Sequence, residues 1–279
     1  MTSAHATRHT RQASASAAAI VAILVLANAT AARAVEEHSP TTEEGAFAAL
    51  DNIERTNPDL ILEPVDDLRS LGGVALGRGT VALPSRVSEG VTFTDPQGDR
   101  VTIRMPDAGD AKAVKVRPDG AALYLGELSA NVVIVAEEGV QMLTTINVAA
   151  AATRYAYSVD LQPGDHIELD GSGPLVIDGD GAIKLAASPA WAIDAKGQPV
   201  PTWYEVDGDA LVQVVDHTSV DDVAYPVVAD PVWLAPWMVR CLTGLGMSGA
   251  EITRIASMGT PLSILAAFGR GAVACVFGK

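Results

Sequence analysis

Short runs of alternating hydrophobic and polar residues fill the middle of the chain, from about residue 74 to residue 231. Residues 91–94 and 101–104 flank the turn sequence Asp95-Pro96-Gln97-Gly98-Asp99, which predicts a hairpin. The same arrangement recurs at 113–117 with 121–125 and at 204–206 with 211–215, and further runs occupy 131–136, 142–148, 155–161, 166–169, 174–177 and 182–186. Closely spaced strands with Gly, Asp and Pro turns predict an antiparallel, sandwich- or barrel-like β domain.

An acidic leader, residues 35–73, precedes this domain and contains one predicted helix. Thr41 and Glu44 have the spacing of a capping box, and Phe47, Leu50 and Ile53 recur at helical intervals. The sequence Asn57-Pro58 is expected to end the helix.

The C-terminal tail, residues 232–279, predicts a small helical bundle, so the chain is α+β overall. A first helix is expected near 235–245, a second from Ser248 to Gly259, and a third from Thr260 to about residue 277. In the third helix, apolar residues line up at intervals of three and four: Leu262, Leu265, Phe268, Ala272 and Val276. This face either packs on the β domain or contacts a membrane.

Residues 1–34 predict a signal peptide. Arg8 and Arg11 precede an apolar stretch over 13–32, and Ala32-Arg33-Ala34 supplies the small residues that signal peptidase recognises, with cleavage after Ala34. The alternative is that the segment is retained as a membrane anchor, because 20 apolar residues are just enough to span a bilayer. Either way, we expect the folded part to be secreted or at the cell surface.

Charge is distributed unevenly along the chain. The full sequence has 19 basic and 34 acidic side chains, a net charge of -15. Residues 1–34 hold three of the basic and none of the acidic ones, so the predicted mature chain carries -18. The tail contributes +3, which leaves -21 for residues 35–231. This balance excludes a nucleic-acid binder, which needs a basic surface. Aromatic residues make up only 5% of the chain, which argues against stacking platforms for sugars or bases.

Both cysteines, Cys241 and Cys275, lie in the tail. In an oxidising compartment, an even pair confined to one small region predicts a disulfide. A catalytic thiol is disfavoured because no histidine follows His217 in the chain.

Histidine-based chemistry has weak support. His38, His166 and His217 are spread over the predicted mature chain, and Asp165-His166 and Asp216-His217 are pairs only, whereas a zinc site needs three or four converging ligands. We therefore assign no metal or other cofactor, and a metal site built from His166, His217 and neighbouring aspartates is the disfavoured alternative.

A hydrolase is also disfavoured. His217, Ser219 and Asp221 contain the residue types of a catalytic triad, but three side chains within five positions cannot surround one imidazole. No catalytic residue is assigned.

Two Asp-Gly segments, 170–173 and 178–181, allow either hairpin turns or weak calcium binding. An EF-hand loop beginning at Asp178 would need a glutamate where Pro189 stands. Because Asp-Gly is a preferred hairpin turn, the turn interpretation is favoured.

A family resemblance covers residues 155–231. The stretches 155–164, 189–206 and 211–217 and the closing motif Tyr225-Pro226-Val-Val-Ala-Asp230-Pro231 resemble a β-rich module of uncharacterised secreted proteins from actinobacteria. In that family the motif commonly closes the β module, and a variable hydrophobic helical tail follows. The resemblance implies a structural role for the motif and no particular activity.

The sequence thus favours a secreted, non-enzymatic protein: an extracellular or cell-envelope binding or structural module. A membrane-active, bacteriocin-like effector acting through residues 232–279 is the first alternative, and an extracellular hydrolase is the second. An envelope polymer or a membrane surface contacted by the tail is the expected kind of partner. No obligate small-molecule ligand is inferred.

Overall fold

Residues 41–65, 73–106, 115–117 and 120–278 are described by a computed structural model of the chain. The predicted signal peptide with Ala32 and Ala34 lies outside the described residues, as does His38. The leader helix, the β domain and the tail belong to one compact unit, Pro40–Lys279.

One sheet has seven antiparallel strands. They are β1 (Gly73–Leu76), β2 (Gly79–Ala82), β3 (Val91–Thr94), β4 (Arg100–Arg104), β9 (Arg154–Val159), β15 (Ala210–Val215) and β14 (Thr202–Asp207), which lie side by side in that order.

The second sheet has ten strands, of which eight form a continuous row. In spatial order they are β10 (His166–Leu169), β11 (Pro174–Ile177), β12 (Ile183–Ala187), β17 (Val232–Leu234), β8 (Gly139–Ile146), β7 (Ser129–Ala136), β6 (Ala122–Leu125) and β5 (Lys115–Val116). The other two are β13 (Ala192–Ile193) and β16 (Val227–Ala229), which pair with each other, and β16 also pairs with β8. The predicted sandwich-like β domain is therefore confirmed.

The main hydrophobic core lies between the sheets. Phe93 and Ile103 from the seven-stranded sheet belong to the same buried cluster as Met142 and Leu185 from the ten-stranded sheet. Alternation along each strand directs every second side chain to this core.

The opposite face of the ten-stranded sheet is covered by helix α1 (Glu43–Thr56). Leu50 and Ile53 of the helix form a second buried cluster with alternate residues of β7, among them Val132 and Ile134. Because both faces of the sheet are covered here, β7 is apolar at almost every position rather than at every second one.

The tail begins as a strand of the sheet. β17 pairs with β12 on one side and with β8 on the other, and thereby connects the two halves of the ten-stranded sheet. Helices α2 (Pro236–Gly244), α3 (Gly249–Ala256) and α4 (Pro261–Phe277) follow. Met238 of α2 and Ile252 of α3 are completely buried in the main core.

The predicted disulfide is confirmed. Cys241 of α2 and Cys275 of α4 form a bond that spans 34 positions of sequence. The bond links the last helix of the chain to a helix that packs on the β domain.

Two local expectations were wrong. The N-cap of α1 is Thr42, whose side chain accepts a hydrogen bond from the N–H of Gly45, whereas the Thr41 hydroxyl bonds to the carbonyl of Glu127. The apolar face expected along α4 is interrupted at Gly269, whose φ of 82° is a conformation that glycine readily adopts. The face is therefore divided between two half-helices.

We predict that Gly139→Ala destabilises the protein. A Cβ atom at this position would lie 2.4 Å from the carbonyl oxygen of Trp233, so β8 and β17 would have to separate. Crowding of this kind costs about 1–3 kcal/mol of unfolding free energy, measured by urea denaturation. Gly244→Ala is the matched control because nothing lies within 4 Å of the added methyl group. Equal stability of the two variants would contradict the proposed close approach.

We also predict that Cys241→Ala/Cys275→Ala lowers the free energy of unfolding by about 3–4 kcal/mol, because the bond restricts a 34-residue loop in the unfolded chain. Urea denaturation of the reduced wild-type protein should give a similar loss. A difference below about 1 kcal/mol would show that the bond contributes little to stability.

Candidate functional site

A cleft of about 690 Å³ lies where the β3–β4 connection, the β11–β12 turn and helix α2 meet. We call it the charged cleft because three acidic and three basic side chains are among the residues that line it: Asp95, Asp99, Asp178, Arg100, Lys184 and Arg240. The remaining lining residues are Gly98, Val101, Gln162, Ala182, Ile183, Pro236 and Thr243.

An ion pair between Asp95 and Arg240 joins the β3–β4 connection to α2. Asp95 Oδ2 accepts from Nη2 of Arg240 at 3.1 Å, while Oδ1 accepts from the backbone N–H groups of Gln97 and Asp99. The Asp95 side chain is only 2% exposed. Burial acts to raise the pKa of Asp95, but the two backbone N–H groups and Arg240 together outweigh it and lower the pKa. The carboxylate is therefore charged at neutral pH.

A second ion pair supports the other side of the cleft. Nζ of Lys184 donates to Oδ2 of Asp165 at 2.7 Å, and the backbone N–H of Gln162 donates to the same oxygen. Burial acts to raise the pKa of Asp165, but the bonds from Lys184 and Gln162 lower it overall. The position of the Lys184 ammonium group is thus fixed by a buried partner.

Asp95 and Asp165 are better suited to holding cations in place than to proton transfer. A general acid or base works best with a pKa near the working pH, whereas the pKa values of Asp95 and Asp165 are lowered away from neutrality. Histidine, cysteine and serine are absent from the described residues that line the cleft.

The surroundings of His217, the candidate for histidine chemistry, indicate a structural role. Its side chain is buried, Nδ1 lies 2.8 Å from the hydroxyl of Tyr225, and Nε2 lies 3.0 Å from the carbonyl oxygen of Ala152. Both ring nitrogens are occupied, so neither Ser219 nor Asp221 is a hydrogen-bond partner of the imidazole.

The structure does not gather the histidines into a metal site. His166 is exposed at the start of β10, and Glu168, at 4.0 Å, is its neighbour. Within the described ranges, no group of three or more His, Cys, Asp or Glu side chains is arranged to hold a metal ion.

Both Asp-Gly segments form turns closed by their own aspartates. Oδ1 of Asp178 accepts from the backbone N–H groups of Asp180 and Ala182, and Oδ1 of Asp170 accepts from those of Ser172 and Gly173. These bonds are typical of Asx turns.

The residues of the motif Tyr225–Pro231 lie around β16. The Tyr225–Pro226 peptide bond is cis, and the carbonyl of Pro231 accepts from the N–H of Met142 at 2.9 Å. Pro231 does not end the sheet, because the chain continues directly into β17. The motif therefore positions the two short strands that pair with β8.

Asp230 is a buried carboxyl group, which the sequence analysis identifies only as part of the motif. It is completely buried, Oδ2 lies 3.4 Å from Nε2 of Gln141, and no hydrogen bond of normal geometry reaches Oδ1 from the described residues. Burial raises the pKa of Asp230 well above its usual value, and the bonds from Gln141 and Trp191 offset this only in part. Its position inside the apolar run 227–234 is the sequence feature that could have indicated a buried carboxyl group.

Gln141 connects this carboxyl group to the segment after α1. Its Oε1 accepts from the N–H of Leu62 at 2.9 Å, and its Nε2 donates to the carbonyl of Leu60 at 2.7 Å. The leader helix is thus fixed to β8 by hydrogen bonds as well as by apolar packing.

Most of the apolar side chains of the tail are buried against the β domain. Trp233, Met238, Leu242 and Ile264 are all at most 1% exposed. The exposed large apolar side chains of the tail are Leu245, Leu262 and Leu265. Within the described part of the chain, no helix has the length and apolar character needed to cross a membrane.

Comparisons of the chain with protein-family models, curated protein sequences and solved structures give no match.

We predict that Asp230→Asn stabilises the protein increasingly as pH rises. The raised pKa means that the folded state retains a proton that the unfolded chain releases near pH 4, so the wild type loses stability as pH rises from there towards the folded-state pKa. An amide carries no charge and avoids this loss.

Urea denaturation at several pH values tests this. The variant and the wild type should be similar near pH 3.5 and should differ by about 1 kcal/mol or more at pH 7. Asp209→Asn, at an exposed position, serves as the control. If the difference in unfolding free energy between the variant and the wild type does not change with pH, Asp230 is not protonated in the folded state.

Proposed function

We propose that the protein is a secreted, non-enzymatic binding module that holds a small zwitterionic ligand in the charged cleft. The observation that carries this proposal is the balance of charge around the cleft. Its lining residues have three acidic and three basic side chains, in a sequence with 34 acidic and 19 basic residues overall.

The two ion pairs preorganise the site. Asp95 and Arg240 are already neutralised by each other, and so are Asp165 and Lys184. A ligand with charges of both signs can contact such pairs without leaving a buried charge unpaired, which would be costly.

Asp99 and Arg100 offer further charged groups to a ligand. They are neighbours at the start of β4, and neither forms an ion pair within the described residues. A carboxylate and a guanidinium at adjacent positions match an ammonium and a carboxylate separated by a few bonds, as in an amino acid or a short peptide.

Secretion is part of the proposal and is supported by the signal-peptide pattern in residues 1–34 and by the disulfide between Cys241 and Cys275, which persists in oxidising compartments. The resemblance to secreted actinobacterial proteins agrees with this location. The proposed site of action is the extracellular space or the cell envelope.

We predict that zwitterionic glycine peptides bind in the cleft and that uncharged analogues do not. Glycine, diglycine and triglycine carry the same charges at increasing separation, whereas N-acetylglycinamide has none. Titrations followed by ¹H–¹⁵N NMR should shift the backbone amides of residues 98–100 and 240 with one of the zwitterions, and the peptide signals should remain those of intact peptide.

Matched variants locate the site. Asp95→Asn/Arg240→Gln removes both charges together, retains hydrogen-bonding groups and should weaken binding about fivefold or more. Glu168→Gln changes an exposed acidic residue outside the cleft and should leave the affinity unchanged. Equal shifts with N-acetylglycinamide, or cleavage of the peptides, would refute the proposed function.

A further inference from the structure

Trp203 lies on the outer face of the seven-stranded sheet. Tyr204 points the other way, because its hydroxyl reaches the carbonyl of Asp230 at 3.1 Å, and successive side chains of a strand alternate between faces. Trp203 and Glu205 of β14 therefore share the face that is turned away from the main core.

A small apolar cluster lies beside Trp203 on the same face. Val212 and Val214 of β15 are only 4% and 7% exposed and belong to a cluster separate from the main core. Their register partners are Glu205 and Trp203 on one side, and Val214 also pairs with Arg154 of β9 on the other side.

Trp203 is 45% exposed. The three other tryptophans, Trp191, Trp233 and Trp237, are half-buried or buried.

Hydrogen bonds fix the indole in place. Nε1 of Trp203 donates to Oε1 of Glu205 at 3.0 Å, and Oε2 of Glu205 pairs with Nη2 of Arg154 at 2.8 Å. The indole N–H is therefore already used, and what the ring offers to a ligand is its flat apolar surface. Glu205 and Arg154 beside it supply an acceptor and a donor, with side-chain exposures of 42% and 51%.

We propose that this face is a binding site for a neutral glycan chain, in which a pyranose ring stacks on Trp203 and its hydroxyl groups bond to Glu205 and Arg154. The C–H face of a pyranose is apolar and suits the electron-rich face of an indole. Vicinal equatorial hydroxyls both donate and accept, and so match a carboxylate next to a guanidinium.

The surrounding face favours a polymer with hydroxyl groups. On β3 and β4 the outer positions include Thr92 and Thr102, whose hydroxyl oxygens lie 3.0 Å apart, and Arg104, which pairs with Asp160. A bilayer would gain little from one indole flanked by charged side chains. A polyanion would be repelled by a mature chain of net charge -18, so the glycan is neutral.

NMR of the full folded protein tests this site independently of the charged cleft. The probes are chitohexaose and cellohexaose at up to about 10 mM, where millimolar binding is detected. The four tryptophans give four indole N–H signals, and Trp203→Phe identifies the relevant one. We expect that signal to shift with one hexasaccharide and to remain unchanged with the glycine peptides.

Variants separate stacking from a structural role. Trp203→Ala should weaken glycan binding at least about tenfold, Trp203→Tyr should retain most of the affinity, and Glu205→Gln should reduce it severalfold. Val206→Ala alters an exposed residue of the same strand on the other face and should bind normally. Circular dichroism checks that each variant is folded.

Three outcomes would overturn the proposal: no shift of the Trp203 signal with either hexasaccharide, unchanged affinity in Trp203→Ala, or a shift that occurs with anionic phosphatidylglycerol vesicles and not with glycans. None of these outcomes bears on the charged cleft, which is tested with different probes and variants.

Discussion

The three residues of β17 hold the ten-stranded sheet together. β10, β11 and β12 form one half of its continuous row and β8, β7, β6 and β5 form the other, and Val232–Leu234 provides the strand between them. Gly139 permits this contact because any side chain there would collide with the carbonyl of Trp233. β17 belongs to the tail by its position in the sequence, yet it is a strand of the β domain. It also determines where the helices α2, α3 and α4 begin.

Buried carboxyl groups are treated in two opposite ways in this protein. Asp95 and Asp165 are surrounded by donors, so their pKa values fall and they act as fixed negative charges that orient Arg240 and Lys184. Asp230 is completely buried without a cationic partner among the described residues, so its pKa rises and it behaves as a neutral polar group in the core. The physical difference is the partner: a cation contacts Asp95 and Asp165, whereas Asp230 is completely buried and its donors, Gln141 and Trp191, are neutral.

Local features of the fold were predictable from the sequence because they depend on neighbouring residues. The hairpin around 95–99, the start of α3 after Ser248, and the end of α1 at Asn57 are all set within a few positions. The disulfide was predictable because the chain has only two cysteines. Strand order was not, since the pairing of β17 with β8 joins residues that are about 90 positions apart.

The candidate sites were hidden for the same reason. Asp95 and Arg240 are 145 positions apart and become neighbours only through tertiary packing. The low aromatic content argues against an extended stacking platform, whereas the site proposed on β14 uses a single indole. The face of β14 that carries Trp203 depends on the tertiary contact between the Tyr204 hydroxyl and the carbonyl of Asp230, which local sequence does not determine.

The difference in charge between the basic tail and the acidic β domain corresponds to specific contacts in the folded chain. Arg240, one of the four cations of the tail, forms an ion pair with Asp95 of the β domain. Arg254 lies over the ring of Phe268 within the tail itself. Arg240 thus holds the tail to the acidic β domain. β4, at the cleft, and β14, with Trp203, are three strand spacings apart, or about 14 Å. The seven-stranded sheet contributes residues to both proposed sites, and a neutral polymer on its face and a zwitterion at its end are both compatible with the acidic charge of the protein.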